Sequence, residues 1–288
     1  MDTRFLVSLI EVVETGSIAA AARRQLLTPA AVSQRIKALE IALGTRLLIR
    51  TGHTAKPTAK CLKILPKLKA IISDVASIQM ELDDSELSGE LKVGAISTFL
   101  TGLMPRVISK LSKVAPKLDL QIVPGTSEQL YEKLIAHKID AVVLVKPPFT
   151  CPKNIEQAHL YSEPLALISH TKTQLTLEDV LVEEPFIRYD RGSWGGAIAD
   201  SYLVNNGIQP KLICDIDSLE SITVMVKSGM GVSLMPVWQG MAEITNDLSV
   251  TRVDDDKYDR GISLLSEKRA GKEKLIQVLQ TAITESVE

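Results

Sequence analysis

The chain has 288 residues, enough for more than one buried core, and an ordinary globular composition of 45% hydrophobic and 24% charged residues. Aromatics make up only 4%, which argues against a surface that stacks single-stranded bases. The formal net charge is −2, yet residues 1–60 hold nine Lys and Arg against four acids, leaving 24 basic against 31 acidic residues for the remainder. A basic head on an acidic body is the footprint of a chain in which one module touches phosphate.

Three cysteines, Cys61, Cys151 and Cys214, are too scattered for a disulfide framework or a metal cluster, and fit a reducing compartment. His53, His137, His159 and His170 stand apart, so neither a metal nor a cofactor is expected. There is no nucleophile elbow or phosphate loop to suggest an enzyme. The first 16 residues carry acids where a signal peptide needs an apolar stretch, and no run is long enough to span a membrane. The expected location is the cytoplasm.

In chain order, Phe5, Leu6, Leu9, Ile10 and Val13 fall at helical spacing and predict a helix over Thr3–Glu14, stopped by Gly16. Ser17 is placed to cap an alanine-rich helix from Ile18 to Gln25. Thr28-Pro29 opens a third helix that ends at Gly44, with Val32, Ile36, Leu39 and Leu43 on its apolar face. Its other face carries Ser33, Gln34, Arg35 and Lys37, side chains that reach base edges and phosphates. A small-residue helix, a short turn and a polar-faced helix form a helix-turn-helix, and Leu47–Arg50 and Ala55–Thr58 around a glycine turn read as its wing. Candidate DNA contacts are Thr28, Pro29, Ala30, Ser33, Gln34, Arg35 and Lys37, with Arg50 and Lys56 on the backbone; His53 reads as an exposed turn residue.

These residues resemble the DNA-binding domain of LysR-type transcriptional regulators. The resemblance rests on Gly16-Ser17-Ile18, Ala21-Ala22, Thr28-Pro29-Ala30-Ala31-Val32-Ser33, Ile36, Leu39-Glu40, Leu43-Gly44, Leu47-Leu48, Arg50 and Thr58. The run AVSQRIKALE followed by LL-x-R-T looks most like the branch of the chromosome-replication inhibitor/arginine-transport regulator. Two positions depart from the family pattern: Leu48 stands where Phe is usual and Cys61 where Gly is usual. Neither lies on the DNA-reading face.

From Thr58 a long helix is predicted to about Asp84. Cys61, Ile64, Leu68, Ile71, Val75, Ile78 and Leu82 alternate at three and four residues, as in a coiled-coil seam. The same stripe would serve a helix packed on its own body; the resemblance favours a dimer built on Ile64, Leu68, Ile71, Val75, Ile78 and Leu82. Pro66 inside it predicts a kink.

After a hinge at 85–90, strands and helices alternate. Strands are expected at 91–96, 118–123, 141–145, 165–169, 186–189, 212–216, 232–235 and 262–265. Helices are expected at 102–114, 128–137, 197–206, 219–227 and from about Lys272. The apolar run 141–145 reads as a buried parallel strand. Two α/β halves of this kind resemble the effector domain of the same family, which is similar to periplasmic solute-binding proteins.

The expected architecture is therefore α/β overall. It comprises a winged helix-turn-helix (1–58), a linker and dimerisation helix (59–87), and a two-lobed effector domain (88–288). Lobe I is expected over about 88–162 and 263–288, and lobe II over about 163–262.

Ligands in such folds lie where strands run into helices. Ser97, Thr98, Phe99, Thr126, Arg188, Ser193 and Trp194 are the candidate effector residues. Free N–H groups at helix starts favour an anion, which Arg188, Arg191 or Lys146 would neutralise. Expected partners are double-stranded DNA, a small, anionic effector, further copies of the chain as a homodimer or homotetramer, and RNA polymerase. The alternatives are a solute-binding protein without DNA function, which the basic helix-turn-helix opposes, and an enzyme.

Overall fold

The computed structural model describes residues 2–51, 54–81, 87–171, 175–244, 247–268 and 272–287. The chain divides into two compact units, Met1–Asp84 and Ser85–Lys268 with Lys272–Glu288.

The first unit begins with α1 (Thr3–Thr15), α2 (Ile18–Arg24) and α3 (Pro29–Ala42). Each start is capped as the side chains dictate: Asp2, Ser17 and Thr28 accept from the N–H groups of Arg4, Ala20 and Ala31. Gly16 ends α1 at φ 66°, a left-handed conformation that costs glycine least. The wing is β1 (Leu48–Thr51) paired antiparallel with β2 (Thr54–Pro57). Glu40 fixes its root, its Oε1 accepting from Leu47 N–H at 2.7 Å and Leu48 N–H at 3.1 Å.

Val32, Ile36 and Leu39 are buried as expected, but Leu43 caps α3 and is 39% exposed, because the helix stops before that turn. The wing turn at 52–53, with His53, lies outside the described residues.

Helix α4 (Ala59–Glu81) starts on the Thr58 hydroxyl, which accepts from Cys61 N–H at 3.1 Å, and it continues through Pro66. The seam divides along its length. Cys61 and Leu68 are buried in the core of this same unit, and Ile64, Ile71 and Ile72 pack against it. Lys69 pairs with Glu14 of α1. Leu68, expected in a dimer seam, is therefore a member of this unit's own core, while Ile64 and Ile71 are half-buried against it. They are needed to complete a small three-helix core that α1–α3 alone leave open along α1. Val75 is exposed, and the Ile78 side chain and Leu82 lie outside the described residues.

The second unit has two lobes. Lobe I is a mixed sheet ordered β4-β3-β5-β12-β6, formed by β3 (Ser88–Ala95), β4 (Lys117–Pro124), β5 (Ala141–Val145), β6 (Ile155–Glu163) and β12 (Arg260–Glu267). Strands β3, β4 and β5 run parallel, and β12 runs antiparallel to both β5 and β6. The run 141–145 is wholly buried, as its composition predicts, but only one of its two neighbours is parallel. Helices α5 (Ser97–Gly102), α6 (Met104–Val114), α7 (Ser127–Ile135) and α12 (Glu273–Val287) cover this sheet.

Lobe II contains β7 (Leu165–Ser169), α8 (Leu177–Glu183), β8 (Pro185–Tyr189), α9 (Trp194–Asn205), β9 (Lys211–Ile216), α10 (Leu219–Lys227), β10 (Ser233–Pro236), α11 (Met241–Ile244) and β11 (Ser249–Arg252). Strand β7 is central to β10 and β11, and β8 pairs parallel with β9. Strands β6, β11 and helix α8 were not expected from the sequence. The start of β12 at Arg260, two residues before the expected strand, places that arginine at the crossing between lobes.

Candidate functional sites

On α3 the solvent-facing stripe is Ala30, Gln34, Lys37 and Ile41, preceded by exposed Thr28 and Pro29. Ser33 is half-buried and Lys56 of the wing is exposed; the Arg50 side chain lies outside the described residues. Arg35 does not share this stripe. It is half-buried, with Nη1 donating to Ser8 Oγ at 3.3 Å and Gln25 Oε1 at 3.5 Å. It braces α3 against α1 and α2, because position 35 adjoins the buried row of Val32, Ile36 and Leu39. The sequence reading also missed Leu26, 93% exposed in the turn at φ 54°, an apolar group beside the start of α3.

Between the lobes lies a cavity of about 280 Å³. Of the expected effector residues, Ser97, Thr98, Thr126, Ser193 and Trp194 line it. Phe99 does not: it is 1% exposed and belongs to the lobe I core, because α5 turns it inward. Arg188 does not either; its Nε faces Asp215 Oδ1 at 3.5 Å, since alternation along β8 sends Tyr189 rather than Arg188 towards the cavity. Lys146 and Arg191 are likewise absent from the lining. None of the three cations expected to neutralise an anion is therefore at the cavity wall.

The basic group that does line the wall is Arg260, which sequence reading missed because no motif marks it. Its Nε donates to Glu163 Oε2 at 2.6 Å, Nη1 to the Tyr189 hydroxyl at 3.3 Å and Nη2 to Thr98 Oγ1 at 3.1 Å. Arginine and glutamate are each 3% exposed, and Thr98 and Tyr189 come from different lobes, so one guanidinium ties both halves together. Burial alone would lower the Arg260 pKa, but the Glu163 carboxylate and the Tyr189 phenol outweigh it and raise it. Burial raises the Glu163 carboxyl, against the pull of Arg260.

A second tie runs the other way. Trp194 N–H, at the start of α9, donates to Glu128 Oε1 of α7 at 3.0 Å. Within lobe II, α9 starts tight against the end of β8: a side chain at Gly196 would overlap the Asp190 carbonyl oxygen, and one at Gly195 the Tyr189 hydroxyl. The Trp194 ring packs edge-on against Tyr131 and Phe149 of lobe I, at 6.0 and 5.5 Å between centroids. Asp217, also in the lining, is held above the ordinary carboxylate range, chiefly by burial and further by the charges of Glu128 and Asp190; Ser193 and Arg260 act in the opposite direction.

Cys61 is buried and its thiol is pushed up to about 11 by burial and by Glu40, a poor starting point for thiolate chemistry. Among the described residues no group of three or more His, Cys, Asp or Glu could hold a metal ion. No described helix is long and apolar enough to cross a membrane.

A winged helix-turn-helix joined to a two-lobed α/β body with an interlobe cavity defines a DNA-binding regulator with a sensor domain. Residues 3–62 match the model of the bacterial regulatory helix-turn-helix protein, lysR family, and residues 84–288 that of the LysR substrate binding domain. The chain belongs to the LysR family of transcriptional regulators. It is 30% identical over 237 residues to the HTH-type transcriptional regulator CzcR of Bacillus anthracis, covering 82% of this chain and 80% of that protein. It is also similar, at 24% identity over 96% of both chains, to the regulator CysL of Bacillus subtilis. The fold resembles a full-length OxyR variant from Pseudomonas aeruginosa, with a TM-score of 0.75 and 22% identity over 98% of this chain and 94% of that one. It also resembles full-length CbnR complexed with its target DNA, at 0.64 and 21% over 99% of this chain and 100% of that one.

Proposed function

We propose that this regulator binds duplex operator DNA as a homodimer or homotetramer and that a small molecule in the interlobe cavity sets its affinity. The observation that carries the reading is Arg260, whose hydrogen bonds to Thr98 and Tyr189 make lobe closure and cavity geometry one variable. A ligand that favours one closure state shifts the population of that state, and couplings of this kind change affinity by roughly 5- to 150-fold.

The reading assigns 1–58 to DNA, 59–87 to linkage and dimerisation, and 88–288 to sensing, with Val75, Ile78 and Leu82 pairing between copies. Gln34 and Lys37 reach base edges from α3. Thr28, Pro29, Ala30 and Ser33 stand at its start, Arg50 and Lys56 hold phosphate, and Arg35 acts by positioning the helix. The protein works in the cytoplasm, alongside RNA polymerase, and catalyses no reaction. The run AVSQRIKALE supports a place near the replication-inhibitor/arginine-transport branch.

The test is to select bound fragments from genomic DNA with the full-length protein, and then to measure affinity for them with and without metabolites suggested by neighbouring genes. Wild type is expected to respond and Thr98→Val to respond less while still binding DNA. A Thr98→Val response identical to wild type counts against the cavity as the control site.

A further inference from the structure

We infer that the interlobe cavity takes a small organic cation, a molecule bearing an ammonium or amidinium group. The inference rests on the reading of this cavity as the effector site. The cavity defines the site, and its charges decide the class of ligand.

Two groups on the wall that would draw an anion into it, the start of α9 and the Arg260 guanidinium, are already filled by the chain's own carboxylates. The N–H of Trp194 at the start of α9 is taken by Glu128 at 3.0 Å. The guanidinium of Arg260 is taken by Glu163 through Nε at 2.6 Å, and its other nitrogens by Tyr189 and Thr98. An incoming carboxylate would have to displace Glu163 or Glu128 and leave a protein carboxylate without its partner, at the cost of an unpaired buried charge.

The remaining charge is negative. Arg260 and Glu163 cancel, while Glu128 and Asp217 both line the wall and no lysine does. Asp217 stands between β9 and α10 and Glu128 reaches in from α7, so the two approach the cavity from opposite lobes. A cation between them would join the lobes, as Arg260 does deeper in. Asp217 resists ionisation chiefly through burial, and the charges of Glu128 and Asp190 add to that resistance against the pull of Ser193 and Arg260. Trp194 lines the same wall, its ring held edge-on by Tyr131 and Phe149. A volume of about 280 Å³ is on the order of nine waters, which suits a molecule of comparable heavy-atom count.

The experiment titrates full-length protein with α,ω-diamines of three to six carbons and, in parallel, with dicarboxylates of the same lengths. Heat of binding and tryptophan emission, to which Trp194 on the wall contributes with Trp238, are the readouts. At least one diamine is expected to bind with Kd below about 1 mM and to change the emission. Glu128→Gln with Asp217→Asn is expected to weaken it at least tenfold. The glutamine oxygen still accepts from Trp194 N–H, so closure is kept; circular dichroism and the thermal midpoint verify the fold.

A dicarboxylate that binds and moves the emission while no diamine does overturns the cation class and leaves the cavity as the effector site. Diamine affinity unchanged in the double variant also overturns it, because binding then lies elsewhere. If no diamine binds, the inference fails, and the cavity's role in control is judged separately by the Thr98→Val response.

Discussion

Replacing Glu163 by Gln removes the carboxylate that pairs with Arg260, at a position where both partners are 3% exposed. Breaking a buried pair on one side costs about 3–5 kcal/mol, because the surviving charge is left in low dielectric. Glutamine can still accept one hydrogen bond from Nε, so the lower end, about 3 kcal/mol, is expected. For a body of this size that corresponds to a fall in Tm of about 6–12 °C. Removing both charges, as Glu163→Gln with Arg260→Met, is expected to recover most of the loss, since buried pairs often exchange for apolar groups at little net cost. The assay is urea unfolding followed by tryptophan emission, because Trp194 and Trp238 both lie in lobe II and report on the sensor unit alone. A Glu163→Gln loss under about 1 kcal/mol, or a double variant no better than the sum of the two singles, would falsify the pair as the lobe-joining charge.

Four further outcomes are expected. Asp217 is harder to ionise in the folded protein than its ordinary value of 3.8 implies, so the folded state binds more protons above pH 3.8 and loses stability as pH rises through that window. Asp217→Asn should therefore raise the thermal midpoint at pH 7, with the gain shrinking towards pH 4; a gain independent of pH rules out titration as its source. Val75→Asp with Ile78→Asp should reduce the mass measured by light scattering while leaving the first unit folded, whereas an unchanged oligomer refutes pairing through the distal half of α4. Gln34→Ala should weaken operator binding by about tenfold with no change in stability, the usual worth of one base-edge contact. Arg35→Ala should lower stability as well, through its lost bonds to Ser8 and Gln25, and equal stability losses for the two would contradict their separation.

The DNA-binding module was legible because its signals are local: caps at Ser17 and Thr28, a stop at Gly16, and an apolar row at Val32, Ile36 and Leu39. The side of α3 occupied by Arg35 was not, since its partners lie 27 and 10 residues away. The stripe along α4 is a true periodicity whose first half belongs to the unit's own core, and spacing alone does not say whether a residue such as Leu68 meets that core or a second chain. In the sensor body, the fully buried β5 and β7 announced themselves by composition. Strand β6 did not, because IEQAHLYSE is polar along much of its exposed face and takes its place only by pairing with β12. Arg260 was invisible for a similar reason: its partners Thr98, Glu163 and Tyr189 are 71 to 162 residues away.

The first turns of α4 are built into the core of the DNA-binding unit, so the helix projects from that unit as an arm. Twenty-three residues at 1.5 Å each make an arm of roughly 35 Å. A tilt of about 5° at the far end therefore displaces the near end by about 3 Å, close to the 3.4 Å between successive bases on a strand. Were two such arms paired as proposed, a small angular change between them would reach the DNA as a shift of about one step in half-site spacing. The gearing is set by helix length, and adding or deleting a turn in the distal half of α4 would change it without touching a single DNA contact.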